Sequence, residues 1–390
     1  MPQPHVVRFA LAVMVAAAAQ TTAQDSHSSA VTWESAFPSQ AFPARILSLG
    51  GTPKKAANSQ VLCDPQSMFR VRVKSPTPAT QVHVEVNVDG FFLDKSSCDV
   101  VLENAGQEYL VAPTPRWDFH KLAFNDQPYP ATVVVGVKAN GADLGQRTLR
   151  LQVRAVNDVP FAAKTEDGRL IDESYLFAAF VNENSPVVEV ILKEALQWGA
   201  VGLFAGYQRS AEDVRMQVFA IWNVLQRHNI KYSSVTTASG FSENVQSQSV
   251  RFVSEAFHMS QANCVDGSVL FASVLYKIGI FPVLVKIPRH MFVGYYLNPK
   301  SQGTLTDLEF LETTMLGSGR SVVLRDRPFP RHDPLWLRST ISYEEFAAAV
   351  RAGNQRFQSE VLPKTKENDP RYRLIFVRKA RENGINPIPR

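Results

Sequence analysis

The hydrophobic pattern changes period once along the chain, near Asn157-Asp-Val-Pro160, and no single sheet or helical bundle can absorb that change. Before it the period is two. Phe69-Arg-Val71-Arg-Val73 alternates, as does Val82-His-Val84-Glu-Val86-Asn-Val88, which runs into the turn pair Asp89-Gly90. Ala131 to Val137 and Thr148 to Val153 repeat the alternation around Asn140-Gly141. Alternation sets one face of a strand on a core and the other in water. Strands at this spacing, with turns between them, predict an antiparallel β-sandwich over residues 60–158. Nothing there points to chemistry, so this half reads as a spacer or binding module. Residues 25–59, with Pro38, Pro43, Gly50, Gly51 and Pro53, read as a leader arm with Arg45-Ile46-Leu47 as one candidate strand.

After the change the spacing becomes helical. Ser185-Pro186 suits a helix start, and Val188, Ile191, Leu192 and Ala195 follow at helical intervals. Ser210, with Asp213 three residues on, forms a capping box before Val214, Val218, Ile221 and Leu225. A third helix is expected from about Gln248 through Val250, Val253 and Phe257. Ser342 and Glu345 look like a further capping pair, and residues 341–390 read as a C-terminal extension packed on a core domain of residues 159–340. A chain of 390 residues has room for two or three domains.

The first residues speak to compartment. Arg8 closes a short basic region, and Phe9 to Ala19 is an apolar run of signal-peptide length, too short to span a bilayer. Small residues follow, so residues 1–24 read as a cleaved signal peptide. The mature protein is expected to be secreted, periplasmic where the host has a periplasm, with no stable membrane insertion after cleavage. In an oxidising compartment the cysteine count becomes informative. Of three cysteines, Cys63 and Cys98 share the N-terminal half and can close a disulfide, which leaves Cys264 over.

Cys264 stands in Ala262-Asn-Cys264-Val-Asp266-Gly-Ser268, ahead of an apolar run that ends at Gly279. Asn263 is a good N-cap and Asp266 its capping-box partner, which puts Cys264 at the first helical position. There the unpaired N–H groups and the helix dipole favour a thiolate, and the same N–H groups can receive an oxyanion. Gly267 and Ser268 are expected to leave room beside the thiol. Three short strands should follow: Phe281 to Ile287, Met291 to Leu297 and Leu308 to Thr314. His290 opens the second. On the third, Glu312 shares a face with Leu308 and Phe310 while Glu309 faces the other way and is expected in water. An acid on an apolar face needs a partner, and His290 would be one. A thiolate, an imidazole and an acid that orients the imidazole form a generalised triad.

These residues carry a resemblance. Asn263-Cys-Val-Asp-Gly267, Gly279-Ile280, Arg289-His290-Met-Phe-Val-Gly294 and Leu311-Glu-Thr-Thr314 are similar to the transglutaminase-like branch of the papain-like cysteine enzymes, and within it to a group of bacterial exported proteins. Gly206-Tyr207-Gln208 and the tail Ala380 to Pro387 resemble that group too, so the likeness reaches about half of the chain. It implies an α+β chain in which a β-sandwich precedes a papain-like transglutaminase core. By position it makes Cys264 the nucleophile, His290 the general base and Glu312 the orienting acid. Two departures stand out, since the family often has Asp where Glu312 stands and a small residue where Arg289 stands. Gln208 and Gln261 are candidate oxyanion donors on residue type alone.

The implied activity is attack on amide bonds through a thioester, ending in hydrolysis or in transfer to an amine. The alternative is a silent scaffold that binds peptide or envelope polymer. The expected partner is a protein, peptide or cell-envelope substrate. The chain has no basic run that suggests nucleic acid and no metal or phosphate-loop motif, so no cofactor is expected.

Overall fold

The structure, a computed structural model, describes residues 30–35, 39–50, 60–65, 67–91, 93–164, 170–233, 244–317, 337–338 and 340–390. The expected signal peptide, residues 1–24, lies outside the described residues. The chain is mixed α and β with several sheets. It divides into two compact units, one of Met1–Pro43 with Gly51–Val156, the other of Ala44–Gly50 with Asn157–Arg390.

The first unit holds β1 (Ala30–Ser35), β2 (Gln40–Ala41), β3 (Val61–Cys63), β4 (Phe69–Lys74), β5 (Thr80–Val88), β6 (Ser96–Leu102), β7 (Glu108–Ala112), β8 (Tyr129–Ala139) and β9 (Ala142–Val153). They form a four-stranded sheet, β1-β4-β7-β3, and a five-stranded sheet, β2-β9-β8-β5-β6. Pairing is antiparallel except for β2 with β9 and β3 with β7. In β5 the residues Val82, Val84, Val86 and Val88 are all buried, as the alternation requires. Cys63 on β3 and Cys98 on β6 are joined in a disulfide that ties one sheet to the other.

The described parts of the segment read as a leader arm, 30–35 and 39–50, are built into the fold. β1 and β2 each pair with a strand of this unit, and α1 (Pro43–Leu49) is a helix where Arg45-Ile46-Leu47 had suggested a strand. The reason is visible in burial: Ala44, Leu47 and Ser48 are buried at helical spacing.

In the second unit β10 (Asp158–Lys164) lies between β11 (Leu170–Asp172) and β13 (Val245–Ser249), and β12 (Lys231–Tyr232) runs parallel to β14 (Gln261–Ala262). The main sheet is antiparallel, in the order β17 (Leu308–Leu311), β16 (His290–Tyr296), β15 (Pro282–Ile287), β18 (Arg373–Phe376). Among the helices, α2 (Phe119–Ala123) belongs to the first unit. The second has α3 (Pro186–Trp198), α4 (Ala211–Arg227), α5 (Val253–His258), α6 (Cys264–Lys277) and α7 (Ile341–Arg356). The Ser210–Asp213 capping box starts α4.

Helix α6 is buried from Cys264 to Leu275 and packs on β15 and β16. A helix apolar on every side belongs in an interior. Val269, Leu270, Phe271, Val274 and Leu275 are fully buried, each contributing about 1.5–3 kcal/mol by transfer from water. Three sequence expectations change here. The helix from Gln248 is a strand, β13, followed by the shorter α5, because Asp158 to Ala163 of β10 pair with residues 245–249. Helix α7 is capped by Thr340 through Tyr343 N–H, two residues before Ser342. The C-terminal extension does more than pack on the core: β18 is an edge strand of the main sheet, and Asn386 N–H donates to Ser48 O on α1. Four residues of β18 with one fully buried side chain are too short to read as alternation.

The Cys63–Cys98 bond spans 35 residues of sequence, so removing it with paired Ser substitutions should cost the first unit about 3–4 kcal/mol. Urea unfolding followed at that unit's tryptophans would measure this. A loss below about 1 kcal/mol would mean that the bond does little to hold the sheets.

Candidate active site

Cys264 owes its position to a fully satisfied helix start. Asn263 Oδ1 accepts from Val265 N–H at 2.8 Å and Asp266 N–H at 2.9 Å, while Asp266 Oδ2 accepts from Asn263 N–H at 3.0 Å. Asp266 also accepts from Arg251 N–H at 2.8 Å and Arg251 Nη1 at 2.9 Å, and is 1% exposed. Burial pushes its carboxyl above the usual range, opposed by those donors. Asp266 therefore holds the helix end and faces away from chemistry. Gly267 N–H donates to Asn263 O. The cap thus consumes three N–H groups expected to be open. Among the described residues at this helix start, only the N–H of Cys264 itself is left without an acceptor.

His290 follows the two-residue turn Pro288-Arg289, which pairs Ile287 with His290. Arg289 takes a positive φ of 63°, a region that favours glycine. The His290 ring lies against Phe292, and its Nε2 meets Glu312 Oε2 at 2.8 Å. Cys264 stands close enough to the same imidazole to raise its pKa. With Nε2 engaged by Glu312, Nδ1 is the nitrogen left to face sulfur. The structure therefore brings Cys264, His290 and Glu312 together, with Cys264 8% and Glu312 3% exposed.

Glu312 lies one residue past β17, at the N-cap of a 3₁₀ turn, Thr313–Met315. Its Oε1 accepts from Thr314 Oγ1 at 2.7 Å and Thr314 N–H at 3.3 Å. Its Oε2 also faces Arg356 Nε at 3.4 Å. Gly267 serves this turn: a Cβ there would come within 3.1 Å of Thr313 Oγ1, so the glycine lets the turn dock on α6 and does not make room beside the thiol. On the far side Glu312 N–H donates to Ala349 O of α7, and Phe310 N–H donates to Asn354 Oδ1.

Burial works against a charge on either partner, yet the pair stays ionised. For His290, burial lowers the pKa, but the hydrogen bonds to Cys264 and Glu312 and their charges raise it to about 9. For Glu312, burial raises the pKa, while His290, Thr314 and Arg356 together bring it below the usual range.

Other expectations fare differently. Glu309 is not in water: it accepts from Arg215 Nε at 2.6 Å and Tyr295 Oη at 2.8 Å. The expected exposure failed because the main sheet is covered on both faces, β16 being buried from Met291 to Tyr296. Gln208 is exposed, in a segment that packs at the other end of α6. There a Cβ on Gly206 would meet Ile278 O at 2.8 Å, and Phe281 N–H donates to Tyr207 Oη. Gln261 is exposed on β14. Two residues that sequence reading missed stand nearby. Tyr232, half exposed, lies opposite Ala262 in the β12–β14 pair; burial, then the charges of Cys264 and Glu312, raise its pKa. Arg356 shares the spacing of Ala349 and Gly353 on one face of α7, a signal that was present in the sequence. Among the described residues no group of three or more His, Cys, Asp and Glu is placed to hold a metal ion.

The His290 titration should show this pairing. A histidine whose pKa is raised above its unfolded value near 6.5 stabilises the fold fully below about 6.5, and the contribution is lost as pH rises through about 9. The His290 imidazole signal in NMR should titrate near 9 and move lower in Cys264→Ala, which removes one support. A midpoint at 6.5 in both would show that no such pairing exists. No protein-family model matches the chain, and a search of curated proteins likewise finds no match.

Proposed function

We propose that the chain is an exported cysteine enzyme that acts on amide bonds through a thioester at Cys264. Its second unit would be a papain-like, transglutaminase-type catalytic domain and its first an antiparallel β-sandwich. The observation that carries this reading is one imidazole with a thiol close enough to shift its titration and a buried carboxylate hydrogen-bonded to its Nε2. The order of parts agrees with it: a cysteine at a helix start, then a histidine opening one strand and an acid just past the end of the next. The disulfide fits an oxidising compartment, and no described helix is long and apolar enough to cross a membrane.

The chemistry follows from the geometry. The Cys264 thiolate attacks the amide carbon and forms a C–S bond, and the carbonyl oxygen gathers charge beside the Cys264 N–H. The His290 imidazolium gives its proton to the amide nitrogen, the C–N bond breaks, and an amine leaves. Water or a second amine then attacks the thioester, giving its proton to His290, and the thiolate is released. Glu312 keeps Nε2 engaged and stabilises the imidazolium in between. The substrate would be a protein, peptide or envelope polymer.

Alkylation of Cys264 by iodoacetamide at neutral pH tests the roles. Glu312→Gln should slow it by about tenfold or more, since a neutral amide supports the imidazolium less. Glu309→Gln should lower stability through the broken Arg215 and Tyr295 contacts but leave the rate per folded molecule unchanged. Equal slowing in both would mean general electrostatics with no dedicated acid. No dependence on either, with no labelling by acyl-transfer probes, would favour a scaffold that binds without turnover.

A further inference from the structure

The C-terminal helix α7 does more to the site than cover a sheet edge. It approaches β17 so closely that a Cβ on Gly353 would lie 2.5 Å from Phe310 O and 2.8 Å from Leu311 N. Its Ala349 carbonyl and Asn354 side chain take the N–H groups of Glu312 and Phe310. The helix ends at Arg356, and the chain continues as a π-helical turn, Phe357–Val361, whose first ring stacks on Phe310 at 4.0 Å. Such turns recur at functional sites because they re-aim one side chain without ending the helix. Here the residue at the junction is Arg356, and its Nε lies 3.4 Å from the same Glu312 oxygen that His290 engages.

The geometry points to Arg356 as a positioning residue of this site, one that shares the Glu312 carboxylate with His290 and thereby limits how tightly the imidazole holds its proton. The inference rests on the proposed triad and assigns it a fourth member from the C-terminal segment. A carboxylate that served His290 alone would place its full charge against the imidazolium. An imidazolium held too firmly is a poor donor to a leaving amine, since proton transfer is most effective when the acid titrates near the working pH. A cation on the same oxygen draws part of that charge away and also repels the imidazolium directly. Oε1 cannot compensate, because Thr314 occupies it through both its hydroxyl and its N–H. The groups facing His290 and Glu312 are Cys264 from α6, Tyr232 from β12, Thr314 from the 3₁₀ turn and Arg356 from α7, with Arg289 beside His290 in the turn. Among the described Lys and Arg residues, Arg356 is the one paired with the acid.

The Arg356 side chain is 35% exposed, so solvent screens it and its effect is modest. Removing its charge should raise the His290 midpoint by about half a unit to one unit, the size of one screened charge at such a distance. The test is the His290 NMR titration, read with the pH profile of Cys264 alkylation, in the full chain. Arg356→Gln should move the midpoint up, and Arg356→Lys, which keeps a cation, should bring it back. Arg351→Gln removes an exposed charge from the same helix and should not move it. If Arg356→Gln does not fold, Arg356→Met keeps the aliphatic stem and reads the same shift. An unmoved midpoint in the neutral variants, or an equal shift from Arg351→Gln, overturns the inference. Failure of the triad reading gives a different result: Cys264 alkylation indifferent to His290→Ala, whatever Arg356 does to the histidine's titration.

Discussion

The carboxylate of Glu312, 3% exposed, must find partners for both oxygens, and its three hydrogen-bond donors and one ion-pair partner come from three separate elements. His290 reaches it from the start of β16, Thr314 twice from the 3₁₀ turn, and Arg356 from the end of α7. An ionised acid left short of partners in an interior costs several kcal/mol, so these elements cannot shift independently. Two glycines set the spacing. Gly267 lets the turn dock on α6, and Gly353 lets α7 lie against the backbone of β17. The main sheet, the 3₁₀ turn and the C-terminal helix therefore meet at one oxygen pair. The C-terminal 50 residues, which also supply β18, are part of the same machine.

The thiol side follows a similar economy. Among the described residues, Asn263 and Asp266 satisfy the helix start so completely that one N–H, that of Cys264, remains open. The capping that fixes Cys264 at the helix start also leaves its own N–H as the single open backbone donor among the described residues there. Arg251 and the cap hold Asp266 out of the chemistry. Gln208 and Gln261, candidates on residue type, are both exposed.

Much of this was legible in the sequence because it rests on local rules. The Asn263–Asp266 cap, the Ser210–Asp213 cap and the alternation of β5 each need only a few neighbouring residues. The pairing of Glu312 with His290 was also within reach, since an acid among apolar residues calls for a partner. What failed depended on distant contacts. Glu309 was expected in water, but Arg215, on a helix nearly a hundred residues earlier, covers that face. Gln248 to Ser249 look helical until β10 claims them as a strand. Gly267 reads as space for a thiol, and its neighbour is Thr313. Arg356 carried a helical-face signal, yet nothing local says which acid it meets.

The account stands or falls on whether sulfur, imidazole and carboxylate work as one unit. The most direct measurement is intact mass after exposure to an activated acyl donor, followed by hydroxylamine. The account predicts a single acyl adduct on the Cys264 peptide, discharged by hydroxylamine as a thioester is, and strongly reduced in His290→Ala. An adduct at another residue, or one on Cys264 that forms equally well without His290, would contradict it.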